Sequence, residues 1–130
     1  MTTAATSLDV QHLADMYFAA WEAHDPDRIA ALHTADTQFQ IHTDGAQPVI
    51  GRDHVREAFA NVFAQFPGYA FETHRLMLGD DHWILDWTLV SEIGEMGCLD
   101  VVTLDAAGLV QRKDTYVEPA DLEAVFGRVA

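Results

Sequence analysis

Trp83-Ile84-Leu85-Asp86-Trp87-Thr88-Leu89-Val90 alternates between two faces. Trp83, Leu85, Trp87 and Leu89 fall on one side and Ile84, Asp86, Thr88 and Val90 on the other, the two-residue period of a strand. Two indoles and two leucines on one face exceed what a flat two-layer core absorbs. A pocket or a very thick core has to take them up. Working outward, this strand runs from Trp83 to Ile93 and is flanked by Tyr69 to Leu78, Cys98 to Leu104 and Leu109 to Val117. Turn residues at Gly79-Asp80-Asp81, Gly94 to Gly97 and Asp105 to Gly108 separate them, which predicts a meander of long antiparallel strands.

The N-terminal half reads as helices around one short strand. Thr6 with Asp9 has the spacing of a capping box, and Leu13, Met16, Tyr17, Ala20, Trp21 and His24 recur at helical intervals. Asp25-Pro26 opens a short second helix through Ala31, with Ile29 and Leu32 turned inward. Thr37 to Thr43 alternates as a strand, Phe39 and Ile41 on one face against Gln38, Gln40 and His42 on the other. Asp44 to Gly51 reads as loop. Val55, Phe59, Val62, Phe63 and Phe66 then form the apolar stripe of a third helix, stopped by Pro67-Gly68. Pro119-Ala120-Asp121 opens a last helical turn with Leu122, Val125 and Phe126 inward. The predicted order is α-α-β-α-β-β-β-β: an α+β fold, three helices packed on one strongly bent, mostly antiparallel sheet.

The 130 residues suit a single domain spanning residues 1–130, and an apolar share of 49% is enough to give it a core. Seven Lys and Arg against 21 Asp and Glu give a net charge of −14. Nucleic acid and anionic membrane both require a positive surface, so neither is an expected partner. A small neutral ligand in a closed pocket is not constrained by this balance. The lone Cys98 cannot form an internal disulfide, and Met1 to Val10 lacks the pattern of a signal peptide, so a reduced, cytoplasmic protein is expected.

Two stretches carry a family resemblance. Tyr17-Phe18-Ala19-Ala20-Trp21-Glu22-Ala23-His24-Asp25 and Leu99-Asp100-Val101-Val102-Thr103-Leu104-Asp105-Ala106-Ala107-Gly108 resemble the first helix and the fourth-strand hairpin of the nuclear transport factor 2-like superfamily. The similarity is strongest to its SnoaL-like polyketide cyclase and ketosteroid isomerase branches. It spans about Leu8 to Phe126 and implies a cone-shaped α+β barrel with an apolar pocket. It puts Tyr17 and Asp100 on the oxyanion-hole pair of the isomerases, a phenol and a protonated aspartic acid that donate to a developing enolate; ketosteroid isomerase is the standard worked case of that arrangement. Where those isomerases hold their general base this chain has Ile41, which argues against steroid isomerisation by that route.

Two residues could supply a base instead. His42 would turn inward if the strand register shifted by one. In the last strand, which resembles the closing strand of limonene epoxide hydrolases, the acid position is Thr115, and Asp114 would reach the pocket through a β-bulge. The epoxide hydrolases' accompanying Arg and Asp have no counterpart around Trp87 to Val90. The expected ligand wall comprises Trp21, Ile41, Phe59, Phe63, Trp87, Val102 and Thr115. No metal is expected, because the seven histidines show neither H-x-H nor H-E-x-x-H spacing. His24, His33 and His54 read as surface or helix-end residues. No phosphate loop or dinucleotide fingerprint is present, so no cofactor is expected.

Two functions remain open. One is a cofactor-independent isomerase, cyclase or lyase acting on a hydrophobic carbonyl compound; the other is a non-catalytic module that binds a small hydrophobic molecule or another chain. The resemblance also implies a homodimer formed through the outer sheet face, where Ile84, Asp86, Thr88 and Val90 lie.

Overall fold

The structure is a computed structural model that describes residues 7–127. It contains helix α1 (Val10–Glu22), helix α2 (Pro26–Ala30), strand β1 (His33–His42), a two-residue strand β2 (Val49–Ile50) and helix α3 (Arg52–Gln65). Strands β3 (Ala70–Leu78), β4 (His82–Ser91), β5 (Gly94–Leu104) and β6 (Val110–Val117) follow, and helix α4 (Pro119–Phe126) ends the fold. The α+β class and the meander are as expected, and three details differ. Strand β5 starts at Gly94 and not Cys98, so the residues read as the Gly94 to Gly97 turn pair with β4. Strand β1 begins four residues earlier, at His33, and the segment read wholly as loop contains β2, paired with β1 through Phe39 and Val49.

Capping accounts for the helix starts. Asp9 caps α1 by accepting from the His12 backbone N–H, and Asp25 caps α2 by accepting from Arg28. The other half of the expected capping box, Thr6, lies outside the described residues. Gly51, at φ 95°, turns the chain from β2 into α3, a conformation that costs a residue with a side chain. On α1 the inward stripe is Val10, Ala14, Tyr17, Ala20 and Trp21. Met16, assigned to that stripe from its spacing, is 42% exposed.

The six strands form one curled, unclosed sheet in the order β2-β1-β6-β5-β4-β3. All neighbouring pairs are antiparallel except β1 with β6, which run parallel. Register places side chains in transverse rows on the concave face. One row reads Trp83, Val102, Lys113 and Phe39; the next reads Leu85, Asp100, Thr115 and Ile41. The helices cover this face, and Trp83 and Val102 from the sheet, Tyr17 from α1, and Val55 and Phe59 from α3 are among the largest fully buried side chains. The surplus of aromatic bulk on β4 is absorbed in two ways. Trp83 packs solidly against Tyr17 and Phe18, whereas Trp87, two residues on, borders a cavity.

Candidate functional site

The cavity has a volume of about 400 Å³ and lies between the concave sheet face, α1 and α3. Its walls are largely apolar, including Phe18, Val62, Leu85, Leu89 and Met96. Exposed Gln47, Asn61, Gln65 and Phe126 line one end and mark the mouth. At the other end, four side chains that can hydrogen-bond converge: Tyr17 from α1, Asp100 from β5, and Lys113 and Thr115 from β6.

Asp100 is 5% exposed and Lys113 is 5% exposed. Asp100 Oδ1 accepts from the Thr115 hydroxyl at 2.8 Å, and Oδ2 lies 3.6 Å from Lys113 Nζ. The Lys113 ammonium also sits within an aromatic cage, 4.3 Å from the Trp21 ring centroid, 5.0 Å from Tyr17, 5.6 Å from Phe59 and 6.0 Å from Phe39. Burial alone would pull the lysine pKa down. The neighbouring Tyr17 and Asp100 outweigh it and hold the ammonium above its ordinary value. Lys113 is therefore charged at neutral pH, and Asp100 Oδ2 is the carboxyl oxygen that faces its ammonium. Tyr17 and Asp100 border the same cavity, and the partners of Asp100 there are the Thr115 hydroxyl and Lys113.

Tyr17 is 2% exposed, and burial raises its pKa, an effect that Lys113 partly offsets. Its hydroxyl meets His33 Nε2 at 2.9 Å, and His33 Nδ1 meets Thr37 Oγ1 at 2.9 Å. His33, read from sequence as a surface or helix-end residue, is fully buried. Burial first and Lys113 second push its pKa down to about 3, so the ring is neutral.

The two residues considered as bases lie on the opposite side of the sheet. His42 Nε2 and Asp114 Oδ1 are 2.7 Å apart, Arg112 forks onto both Asp114 oxygens at 2.9 Å, and the His42 ring stacks on Tyr116 at 4.3 Å. Burial would raise the Asp114 pKa, but Arg112 and His42 more than reverse this and hold it below the ordinary aspartate value. Regular pairing of Gln40 with Asp114 and of His42 with Tyr116 keeps both residues on the convex face. The register slip and the bulge that would have turned them inward do not occur there.

Of the expected ligand wall, Trp21, Ile41, Trp87 and Thr115 border the cavity. Phe59, Phe63 and Val102 do not. Phe59 and Val102 are fully buried behind the wall, and Phe63 stacks between Trp21, His24 and Tyr69. Cys98 does border the cavity, but burial and the nearby Asp100 carboxylate push its thiol up to about 12, so it is not a nucleophile. Lys113 is the residue that sequence reasoning passed over. Its signal was its alternation with Thr115 on the inward face of β6, which puts a cation where an apolar side chain is usual.

A family model described as a SnoaL-like domain matches residues 14–113. The chain belongs to that family. Among solved structures, this SnoaL-like domain is similar to SalBIII, an epoxide hydrolase/cyclase-like enzyme with a role in pyran ring formation in the polyether salinomycin. The two are 20% identical over 86% of this chain and 92% of the other, with a TM-score of 0.73. A second similar structure is a hypothetical protein of ketosteroid isomerase-like fold from Catenulispora acidiphila, in complex with trimethylamine, at 14% identity over 94% and 95% of the two chains and a TM-score of 0.74. A third is an uncharacterised protein of cystatin-like fold from Silicibacter pomeroyi, at 24% identity over 90% and 84% and a TM-score of 0.72. At these identities the likeness is one of fold. No curated protein matches the chain. Among the described residues no helix is long and apolar enough to cross a membrane, and no group of three or more His, Cys, Asp or Glu is placed to hold a metal ion.

Proposed function

We propose that this SnoaL-like domain binds a small hydrophobic carbonyl compound and moves a proton on it without a cofactor, as an isomerase, cyclase or lyase. The observation that carries this reading is the Asp100–Lys113 pair at the inner end of an apolar cavity. Burying two charges costs several kcal/mol per ion before their attraction offsets it, so a pair of this kind is a poor device for stability alone. At 3.6 Å the contact is an ion pair rather than a hydrogen bond, and the ammonium keeps protons to offer a ligand oxygen.

In this reading Lys113 and Tyr17 donate to the carbonyl oxygen while Asp100 takes a proton from the adjacent carbon. The electron pair of the broken C–H bond becomes the enolate, whose negative oxygen the two donors stabilise. Return of the proton at another carbon gives isomerisation. Expulsion of a leaving group gives elimination, and attack of the enolate on an internal electrophile gives ring closure. Asp100 thus takes the part of the base missing at Ile41, and Lys113 replaces it as the second donor. A single oxyanion donor is typically worth about 10²–10³ in rate.

The test is hydrogen–deuterium exchange at the carbon next to the carbonyl of small cyclic ketones such as 1-tetralone, followed by NMR in D₂O. The wild-type protein should accelerate exchange over buffer, and Asp100→Asn should lower that acceleration by at least about 100-fold. Exchange unaffected by Asp100→Asn would overturn the assignment. Tight binding with no exchange would favour the second reading, a non-catalytic pocket, to which the largely apolar walls lend support.

A further inference from the structure

The polar end of the cavity continues behind its wall. Tyr17, His33 and Thr37 form a chain with both links at 2.9 Å, and His33 and Thr37 are fully enclosed. The neutral ring carries one proton, so the chain can run in two directions. In the first, Tyr17 donates to Nε2, Nδ1–H donates to Thr37 Oγ1, and the Thr37 proton is left over. In the second, Thr37 donates to Nδ1, Nε2–H donates to the Tyr17 oxygen, and the Tyr17 proton is left over.

These directions differ in where the surplus proton resides. Among the described residues Thr37 Oγ1 has no side-chain or backbone partner besides His33, and a buried hydroxyl proton without an acceptor costs about 1–3 kcal/mol. Tyr17 borders the cavity, where the oxygen of a bound molecule can take its proton. Its neighbours Lys113 and Trp21 carry only donors, so neither competes for that proton. Because solvent in the cavity, or a ligand oxygen once one is bound, can take the Tyr17 proton, the second direction satisfies every group of the chain, whereas the first leaves the Thr37 proton orphaned in either state.

We propose that Thr37 and His33 are positioning residues that orient the Tyr17 proton into the cavity, making Tyr17 a pre-aligned donor to the oxygen of a bound neutral carbonyl compound. The identity of the acceptor rests on the proposed function. The direction of the chain does not.

The experiment is two-bond ¹⁵N–¹H correlation NMR of histidine in the ligand-free protein at pH 7, comparing wild type, Thr37→Val and Thr37→Ser. The His33 signals are assigned by their absence from a His33→Gln spectrum. The expected result is Nε2–H as the single His33 tautomer in wild type and in Thr37→Ser. In Thr37→Val, which offers Nδ1 no hydroxyl, the Nδ1–H form should appear. An Nδ1–H tautomer in wild type would overturn the proposal. So would Thr37→Val retaining Nε2–H alone, because Thr37 would then not set the direction. If Thr37→Val does not fold, wild type and Thr37→Ser still decide the tautomer. Absence of ketone exchange together with the Nε2–H tautomer would count against the proposed reaction and leave the orientation standing.

Discussion

Lys113 and Asp100 depend on each other. Removing one partner of a buried pair leaves an uncompensated charge and costs about 3–5 kcal/mol, whereas removing both together is far milder. Lys113→Met should therefore lower unfolding free energy by about 3 kcal/mol or more, and Lys113→Met with Asp100→Leu should recover much of it. Urea unfolding of the two singles and the double would show this as strong coupling, and additive losses would contradict it. His33 makes a separate contribution. Its folded pKa, about 3, lies below the ordinary histidine value, so above pH 6.5 both folded and unfolded states hold it neutral and its stabilisation is complete. As pH falls below that value the unfolded chain takes up a proton that the folded one refuses. Stability should then decline by up to about 1.4 kcal/mol per pH unit from this group alone, toward its folded pKa. Urea unfolding at pH 7 and pH 5 should show a larger loss in wild type than in His33→Gln; equal losses would contradict a buried neutral His33.

At the scale of elements, strand β6 separates two chemistries. Lys113 and Thr115 face the cavity, and Arg112 and Asp114 face outward into a network with Gln38 and His42. His42→Ala and Asp114→Asn should leave ketone exchange within about twofold of wild type, because neither residue borders the cavity. A 100-fold loss in either would restore them as candidates for the base. Strand alternation was legible along β4 and β6 from the sequence, and so was the location of Asp100 on an inward face. The ion partner of Asp100 was not. Arg112, the neighbour of Lys113 in sequence, turns outward to Asp114, and the lysine is recognised only when the β5–β6 register is known. His33 escaped for a related reason: it precedes the segment whose alternation is visible, and its burial depends on α1 and α3 closing over the start of β1.

At the scale of the whole molecule, the α+β class and the curled sheet follow from hydrophobic periodicity, because each element declares one apolar face. The cavity does not follow from periodicity. It exists because α1 rests on Trp83 through Tyr17 and α3 rests on Phe39 through Phe59, while both stand off the sheet near Trp87, a consequence of how large side chains share one concave surface. The convex face carries exposed Leu99 and Tyr116 beside half-buried Ile84, Thr88 and Val90. We propose that two copies pair there; light scattering at micromolar concentration should give twice the mass of the 14.4 kDa chain, and Leu99→Glu with Tyr116→Glu should return it to a monomer. A monomeric wild type would contradict that arrangement. The central claim is that a charged donor at the inner end of the cavity polarises a carbonyl, and infrared spectroscopy of 1-tetralone labelled with ¹³C at the carbonyl reads this most directly. Bound to wild type, the carbonyl stretch should fall below its frequency in an apolar solvent, and Lys113→Met should remove most of the shift. An unshifted band in the wild-type complex would contradict the account.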